Sequence, residues 1–201
     1  VGGLPFAHYL AMVRGGWRSL LNDPQVRLFL ILAVGLVLLL IWHLMQTGLG
    51  FGQAVRQASF NGVSIMTGTG YVSANFSAWG GFATTILLIV MFIGGCGGST
   101  TCGIKVFRLQ VLASTAKVQI SRLLRPHAVV LAYYNKRPVS VEVMDSVMGF
   151  FYLFILGFVL IAIMLGIAGL DFVTALSGAA TSISNVGPGL GQVLGADGTF
   201  S

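Results

Sequence analysis

A short pattern occurs twice in this chain: an apolar, helix-like run ends in a polar turn tipped by glycine. The first copy closes on Ser64-Ile65-Met66-Thr67-Gly68-Thr69-Gly70-Tyr71 and the second on Thr181-Ser182-Ile183-Ser184-Asn185-Val186-Gly187-Pro188. Aligned without gaps, Ala58 falls on Ala175, Ser64 on Thr181, Thr67 on Ser184 and Gly70 on Gly187. In a bilayer, irregular backbone is tolerated only where its freed polar groups are buried in protein or line a cavity. Such turns therefore need their carbonyls to line something, and replacing an ion's water shell is chemistry that carbonyls perform.

A bilayer is the expected surroundings. Leu28 to Met45 has His43 as its only polar interruption, and neither Ala78 to Gly94 nor Val147 to Leu170 contains a charge. Each run is close to the ~20 residues that cross a membrane as a helix. These runs explain a composition of 56% hydrophobic and 8% charged residues and a mean hydropathy of +0.91, against about 25% charge in soluble domains. Ala54 to Met66 and Phe172 to Ile183 are shorter and more polar and read as re-entrant helices that enter and stop. The expected fold class is an all-α integral membrane protein built from repeated units of span, re-entrant helix, turn and span.

The net charge of +6 is uneven. Arg14, Arg18 and Arg27 precede or open the first span, and Lys105, Arg108, Lys117, Arg122, Arg125, Lys136 and Arg137 lie between the second and third. Arg56 is alone on the other side. The excess of positive loop charge places both basic segments in the cytoplasm, so that the two turns enter from outside. The apolar neighbours of these segments argue against nucleic-acid binding. The sequence opens at Val1 with no initiator Met and no basic n-region, so no signal peptide is expected. The second copy has no outgoing helix after its turn, so the chain is expected to be a piece of a longer protein.

Local signals set the element boundaries. Pro5 to Leu21 mixes apolar positions with His8, Arg14, Trp17 and Arg18 and reads as an interfacial or cytoplasmic helix weakened by Gly15 and Gly16. Asp23-Pro24 reads as an N-cap followed by the first helical position. Asp171 reads as the cap of the second re-entrant helix, and Glu142 and Asp145 suit the N-terminal end of the third span. Ala78 is expected to begin the second span and Gly169 to end the third. Pro126 to Pro138 reads as a loop or short hairpin.

Two constellations carry the candidate chemistry. At the turns, Gly70 and Gly187 permit backbone angles that aim carbonyls at a central axis, while Thr67, Thr69 and Ser184 add hydroxyls and Asn185 an amide. Both re-entrant helices present negative C-terminal ends there, which favours a cation. Neither turn holds an acid, and neutral oxygens suit a monovalent cation better than Ca²⁺ or Mg²⁺. The second constellation is Gly94-Gly95-Cys96-Gly97-Gly98-Ser99-Thr100-Thr101-Cys102-Gly103. Its five glycines in ten residues are expected to break the second span, each costing about 1 kcal/mol relative to alanine in a helix. The helix resumes at Ile104. This segment reads as a mobile intramembrane loop that gates an ion path. Helix packing through Gly94 and Gly98 is the alternative. Lys105 arrives one residue late for a phosphate-cradling loop, and no hydroxyl follows it. Cys96 and Cys102 read as packing residues. His8, His43 and His127 have no acid or cysteine at ligand spacing, and no nucleophile, base and acid come together as an enzyme would require.

These residues carry a resemblance. Thr67-Gly68-Thr69-Gly70-Tyr71, the run Gly94 to Thr100 with Gly103-Ile104-Lys105, and Asn185-Val186-Gly187-Pro188-Gly189 resemble the TrkH-like membrane subunits of the Trk/Ktr/HKT potassium transporter superfamily. The resemblance implies four span–pore-helix–span repeats around one pseudo-fourfold ion pore. Residues 1–23 would then be a cytoplasmic or interfacial segment and 24–124 the third repeat with a broken second span. Residues 125–138 would be a cytoplasmic linker, and 139–201 a fourth repeat lacking its outgoing helix. It further implies that Thr67, Gly68, Thr69, Gly70 and Tyr71, with Ser184, Asn185, Val186 and Gly187, contribute to a K⁺ selectivity filter. Gly94, Gly95, Cys96, Gly97, Gly98, Ser99, Thr100, Thr101, Cys102 and Gly103 would be the gating loop. It implies potassium translocation across a bacterial inner membrane and a homodimer. The partner would be a TrkA-like cytosolic ring, which alone binds nucleotide; no covalent cofactor and no enzyme activity are implied. Gly68 stands where threonine is common and Tyr71 where phenylalanine is common, and the outgoing helix that carries a pore-facing arginine is absent. The alternative is a Na⁺-permeable or poorly selective relative, which the sequence alone separates only weakly from a K⁺-selective one.

Overall fold

The computed structural model describes residues 2–13, 23–125, 131–135 and 137–191. Arg14, Gly15, Gly16, Trp17, Arg18, Pro126, His127 and Lys136 lie outside the described residues, so the basic and hairpin assignments resting on them do too. Helix dominates. In chain order the elements are α1 (Phe6–Val13), α2 (Pro24–Gln46), α3 (Phe51–Met66), a 3-10 turn (Phe76–Trp79), α4 (Gly81–Met91), α5 (Val106–Leu124), β1 (Tyr133–Tyr134), β2 (Arg137–Pro138), α6 (Val141–Ile167) and α7 (Phe172–Ser184).

The caps follow the sequence. Asp23 accepts from the Gln25 amide at 2.7 Å and Pro24 is the first residue of α2. Such a cap stabilises a helix by about 1 kcal/mol. Asp171 caps α7 through the Thr174 amide at 3.2 Å. Ser140, not an acid, caps α6; Glu142 lies in the first turn, where its charge suits the dipole.

Only α2 and α6, among the described residues, are long and apolar enough to cross a membrane alone. At 1.5 Å per residue they are about 34 Å and 40 Å long. Of the residues of α6, Val147 and Phe154 alone are buried inside the protein. Leu153, Ile163, Met164 and Ile167 are all more than half exposed, a surface that lipid solvates and water does not.

The second span differs from expectation at both ends. It begins at Gly81 and not at Ala78, because Phe76 to Trp79 form a 3-10 turn that buries Phe76 and Trp79. It also ends at Met91, so α4 is only about 16 Å long. Helix α5 begins beyond the glycine-rich segment, with Lys105 at the N-cap.

Each re-entrant helix packs against the span that precedes it, α3 on α2 and α7 on α6. A glycine permits close approach in both pairs. A methyl at Gly62 of α3 would lie 3.2 Å from Leu40, and one at Gly157 of α6 would lie 3.2 Å from Ile183. The repeated arrangement is therefore structural as well as sequential. The two pairs are joined where α4 packs against α7 and α5 against α6. The linker ends in an antiparallel hairpin, Tyr133 opposite Pro138 and Tyr134 opposite Arg137.

Candidate functional site

The C-terminal ends of α3 and α7 bring the two glycine turns together. At the first, Thr67, Gly68 and Thr69 amides close the helix on the carbonyls of Val63, Ile65 and Ser64 at 2.9, 3.1 and 2.9 Å. Gly68 and Gly70 then adopt φ of +61° and +80°. The Thr67 hydroxyl donates to Val63 O at 2.7 Å and lies 2.7 Å from Thr69 Oγ1. Its single proton is thus committed, so the Thr69 hydroxyl donates to it and keeps its own lone pairs for an acceptor role. The Tyr71 side chain is 71% exposed.

At the second turn Asn185 takes a left-handed φ of +50° as the C-cap of α7, and the Val186 amide reaches Thr181 O at 3.1 Å. Gly187 follows with φ of +102°. A Cβ on Gly70 would lie 2.7 Å from Val186 O, one on Gly68 would lie 3.5 Å from Asn185 O, and one on Gly187 would lie 3.5 Å from the Gly70 Cα. At Gly70 the two backbones thus approach at a separation that excludes a side chain, while at Gly68 and Gly187 a Cβ would meet the other turn at ordinary contact distance. No described residue donates a hydrogen bond to the main-chain carbonyls of Thr67, Gly68, Thr69, Gly70, Asn185, Val186 or Gly187. These carbonyls sit at the negative ends of two helix dipoles. The Ser184 hydroxyl is buried and, like those of Ser64 and Thr181, has no partner among the described residues.

Sequence reasoning missed the supports behind the turns. Asn61, fully buried in α3, donates from Nδ2 to Gln57 O at 2.8 Å and to Ser73 Oγ at 3.0 Å, while its Oδ1 accepts from the Ser73 amide at 2.9 Å. Ser177, fully buried in α7, donates to Leu190 O at 3.0 Å and accepts from Leu190 N at 2.9 Å. The one available signal was a polar residue on the apolar face of each re-entrant helix.

The glycine-rich segment is hydrogen-bonded throughout. Ile93 pairs with Ile104 as a parallel bridge, Gly94 N donating to Ile104 O and Ile104 N to Phe92 O, each at 2.9 Å. Gly94 is therefore in a loop, and the reading of Gly94 and Gly98 as a helix-packing pair is overturned: the helix has already ended at Met91. The Gly95 amide reaches Thr101 Oγ1, and the Gly97 amide reaches Gln25 Oε1 of α2, each at 2.8 Å. Cys96 N donates to Gly3 O and Phe6 N to Gly98 O, which ties the N-terminal segment to the loop. Lys105 folds back and donates from Nζ to Ser99 O at 3.0 Å, and also to Thr101 O. Thr100 reaches Gly2 O at 3.4 Å. Cys96 is buried and packs as expected, whereas Cys102 is exposed. The Asn185 amide lies 3.5 Å from Cys102 Sγ, so the loop meets the second turn. Gly103, with φ of +75°, closes the segment.

Two histidines have partners that local spacing did not indicate. His8 pairs with Asp23 at 2.9 Å, fifteen positions away, and His43 Nε2 lies 2.7 Å from Trp79 O. In the hairpin, burial, with Asp23 nearby, pushes the Tyr134 phenol up. The hydroxyl and then the amide of Thr174 hold the Asp171 carboxyl below its ordinary value. No cluster of three metal-ligating side chains occurs among the described residues.

Comparison with known proteins gives a consistent family. A sequence model described as TrkH, cation transport protein, matches residues 12–200. The Trk system potassium uptake protein TrkI of Halomonas elongata is 41% identical over 201 residues, covering 100% of this chain and 41% of that protein. TrkH of Vibrio parahaemolyticus is 36% identical over 196 residues, covering 92% and 39%. The crystal structure of the potassium transporter TrkH from Vibrio parahaemolyticus superposes with a TM-score of 0.88 at 33% identity, over 98% of this chain and 43% of that one. The chain thus spans about two fifths of the length of the relatives it matches.

Proposed function

The chain belongs to the TrkH family of cation transport proteins, and on that premise we propose that it supplies two quarters of the selectivity filter of a potassium-translocating membrane subunit. Thr67, Gly68, Thr69, Gly70 and Tyr71 form one filter turn, and Ser184, Asn185, Val186 and Gly187 the other. The ion they take is K⁺, held by main-chain carbonyls with Thr69 Oγ1 as an added oxygen. The observation that carries this is the convergence of the two turns. The Val186 carbonyl would be only 2.7 Å from a Cβ at Gly70, and the carbonyls of both turns lack donors among the described residues.

The chain is then the third repeat, residues 24–124, and most of the fourth, residues 139–201, of a four-repeat bacterial inner-membrane protein. Gly94 to Gly103 is the gate. It lies against the second filter turn through Cys102 and Asn185 and against the inner ends of α1 and α2 through Gly98 and Gln25. The basic α5 and the hairpin face a cytosolic regulatory ring, and the nucleotide belongs to that ring. The complete protein works as a homodimer. No covalent cofactor or enzymatic step is involved.

The test is the bi-ionic reversal potential of the complete protein in liposomes, K⁺ on one side and Na⁺ on the other. A potential near the K⁺ limit is expected, moving toward zero in Gly70→Ser and in Gly187→Ser. A potential near zero in the unsubstituted protein would assign it to the Na⁺-permeable relatives. An unchanged potential in both variants would remove these glycines from the filter.

A further inference from the structure

Carbonyls that distinguish cations of one charge must hold a spacing, and glycine-tipped turns do not hold one unaided. Bonds behind each turn do so here. From them we infer that Asn61 and Ser177 are positioning residues for ion selection. Each is a buried strut on a re-entrant helix that fixes the strand leaving the turn, and so the separation of the carbonyls in front of it. The inference rests on the filter reading above.

Both struts reach the same place in the repeat. Ser73 and Leu190 each lie three residues beyond the turn glycine and align with each other when Gly70 is paired with Gly187. In both copies the main-chain N–H at that position is bound by a side chain of the helix, Ser73 N by Asn61 Oδ1 at 2.9 Å and Leu190 N by Ser177 Oγ at 2.9 Å. Yet the struts are not aligned residues: Asn61 falls on Gly178, and Ser177 on Phe60. The same backbone group is held in both copies by different chemistry from different helix positions. Simple inheritance of a packing residue would not produce this, whereas a requirement on the turn would.

The bonding leaves little slack. Asn61 spends both amide protons, on Gln57 O and Ser73 Oγ, and uses its carbonyl on Ser73 N. Ser177 has one proton. It goes to Leu190 O at 3.0 Å in preference to Thr174 O at 3.3 Å, so that this hydroxyl satisfies both main-chain groups of Leu190. Asn61, Ser177 and Leu190 are all 0% exposed. Without the Ser177 hydroxyl, two buried groups of the exit strand lose their partners, and the strand shifts to find others.

The experiment compares Ser177→Ala and Asn61→Leu with the unsubstituted complete protein by bi-ionic reversal potential in liposomes. Thr181→Val is the control, since it removes a buried hydroxyl of the same helix that bonds no described residue. In both strut variants the K⁺/Na⁺ permeability ratio is expected to fall about 3- to 10-fold, the scale of one or two lost buried hydrogen bonds, with Thr181→Val unchanged. A merely structural role would lower both currents together and leave the ratio alone, and that result would overturn the inference. An unchanged ratio in the strut variants, with a lowered ratio in Gly187→Ser, would reject the struts and keep the filter. No K⁺ preference in the unsubstituted protein would reject both. Should Ser177→Ala not fold, Ser177→Cys carries the test, since a thiol keeps the shape and weakens both bonds to Leu190. A fall of about 2-fold there would support the strut, and an unmoved ratio would overturn it.

Discussion

Asp171 shows how a single residue reports on its surroundings. Its carboxylate caps α7 through the amide and hydroxyl of Thr174, and these bonds lower its pKa. A carboxyl with a folded pKa below its unfolded one contributes stability above the unfolded value and loses it as pH falls through the folded value. The thermal midpoint of Asp171→Ala is therefore expected to lie below that of the unsubstituted protein at neutral pH. The gap should close as the pH is lowered through the carboxylate range. Equal midpoints at neutral pH would mean that the cap does not contribute. Gly70 is constrained in the opposite sense, by what it lacks. Its φ of +80° and the nearby Val186 carbonyl exclude any side chain, which is why a serine there is expected to disturb the carbonyl geometry.

At the scale of elements, the glycine-rich segment is the informative case. Its composition reads as freedom, but its structure is a network centred on one ammonium. Lys105 holds Ser99 and Thr101 from the N-cap of α5. If the segment is the gate and this arrangement is its closed form, the ammonium stabilises closure. Hydrogen bonds to a charged donor are worth about 1.5–3 kcal/mol, so Lys105→Met in the complete protein should raise regulator-independent K⁺ flux roughly 10-fold or more. Lys105→Arg should change it less. Measured by flux into liposomes, an unaltered rate in Lys105→Met would show that the network does not restrain opening. The separation of α4 from α5 follows from the same segment: a continuous helix would have removed the loop.

For the molecule as a whole, the fold consists of two similar halves, α2 with α3 and α6 with α7, that meet at their turns. On the filter reading, two turns line only two quarters of the pore. The chain spans about two fifths of its relatives' length. The 201-residue chain reconstituted alone is accordingly expected to carry no K⁺-selective current under conditions where the complete protein does. A selective current from the chain alone would require copies of it to assemble into a closed pore.

Much of this architecture was legible because membranes make sequence explicit. Apolar length identified α2 and α6, since lipid solvates whatever side chains a span presents. Asp23-Pro24 and Asp171 marked helix starts, because the donors they satisfy are local. The glycine turns were visible because positive φ restricts residue choice at the position itself. What required the tertiary structure was pairing at a distance. The 3-10 turn that delays α4 depends on burying Phe76 and Trp79, and His8 finds Asp23 across fifteen positions. Asn61 and Ser177 hold aligned backbone groups from unaligned helix positions. A buried polar group needs a partner, but only the folded chain decides which partner comes within reach.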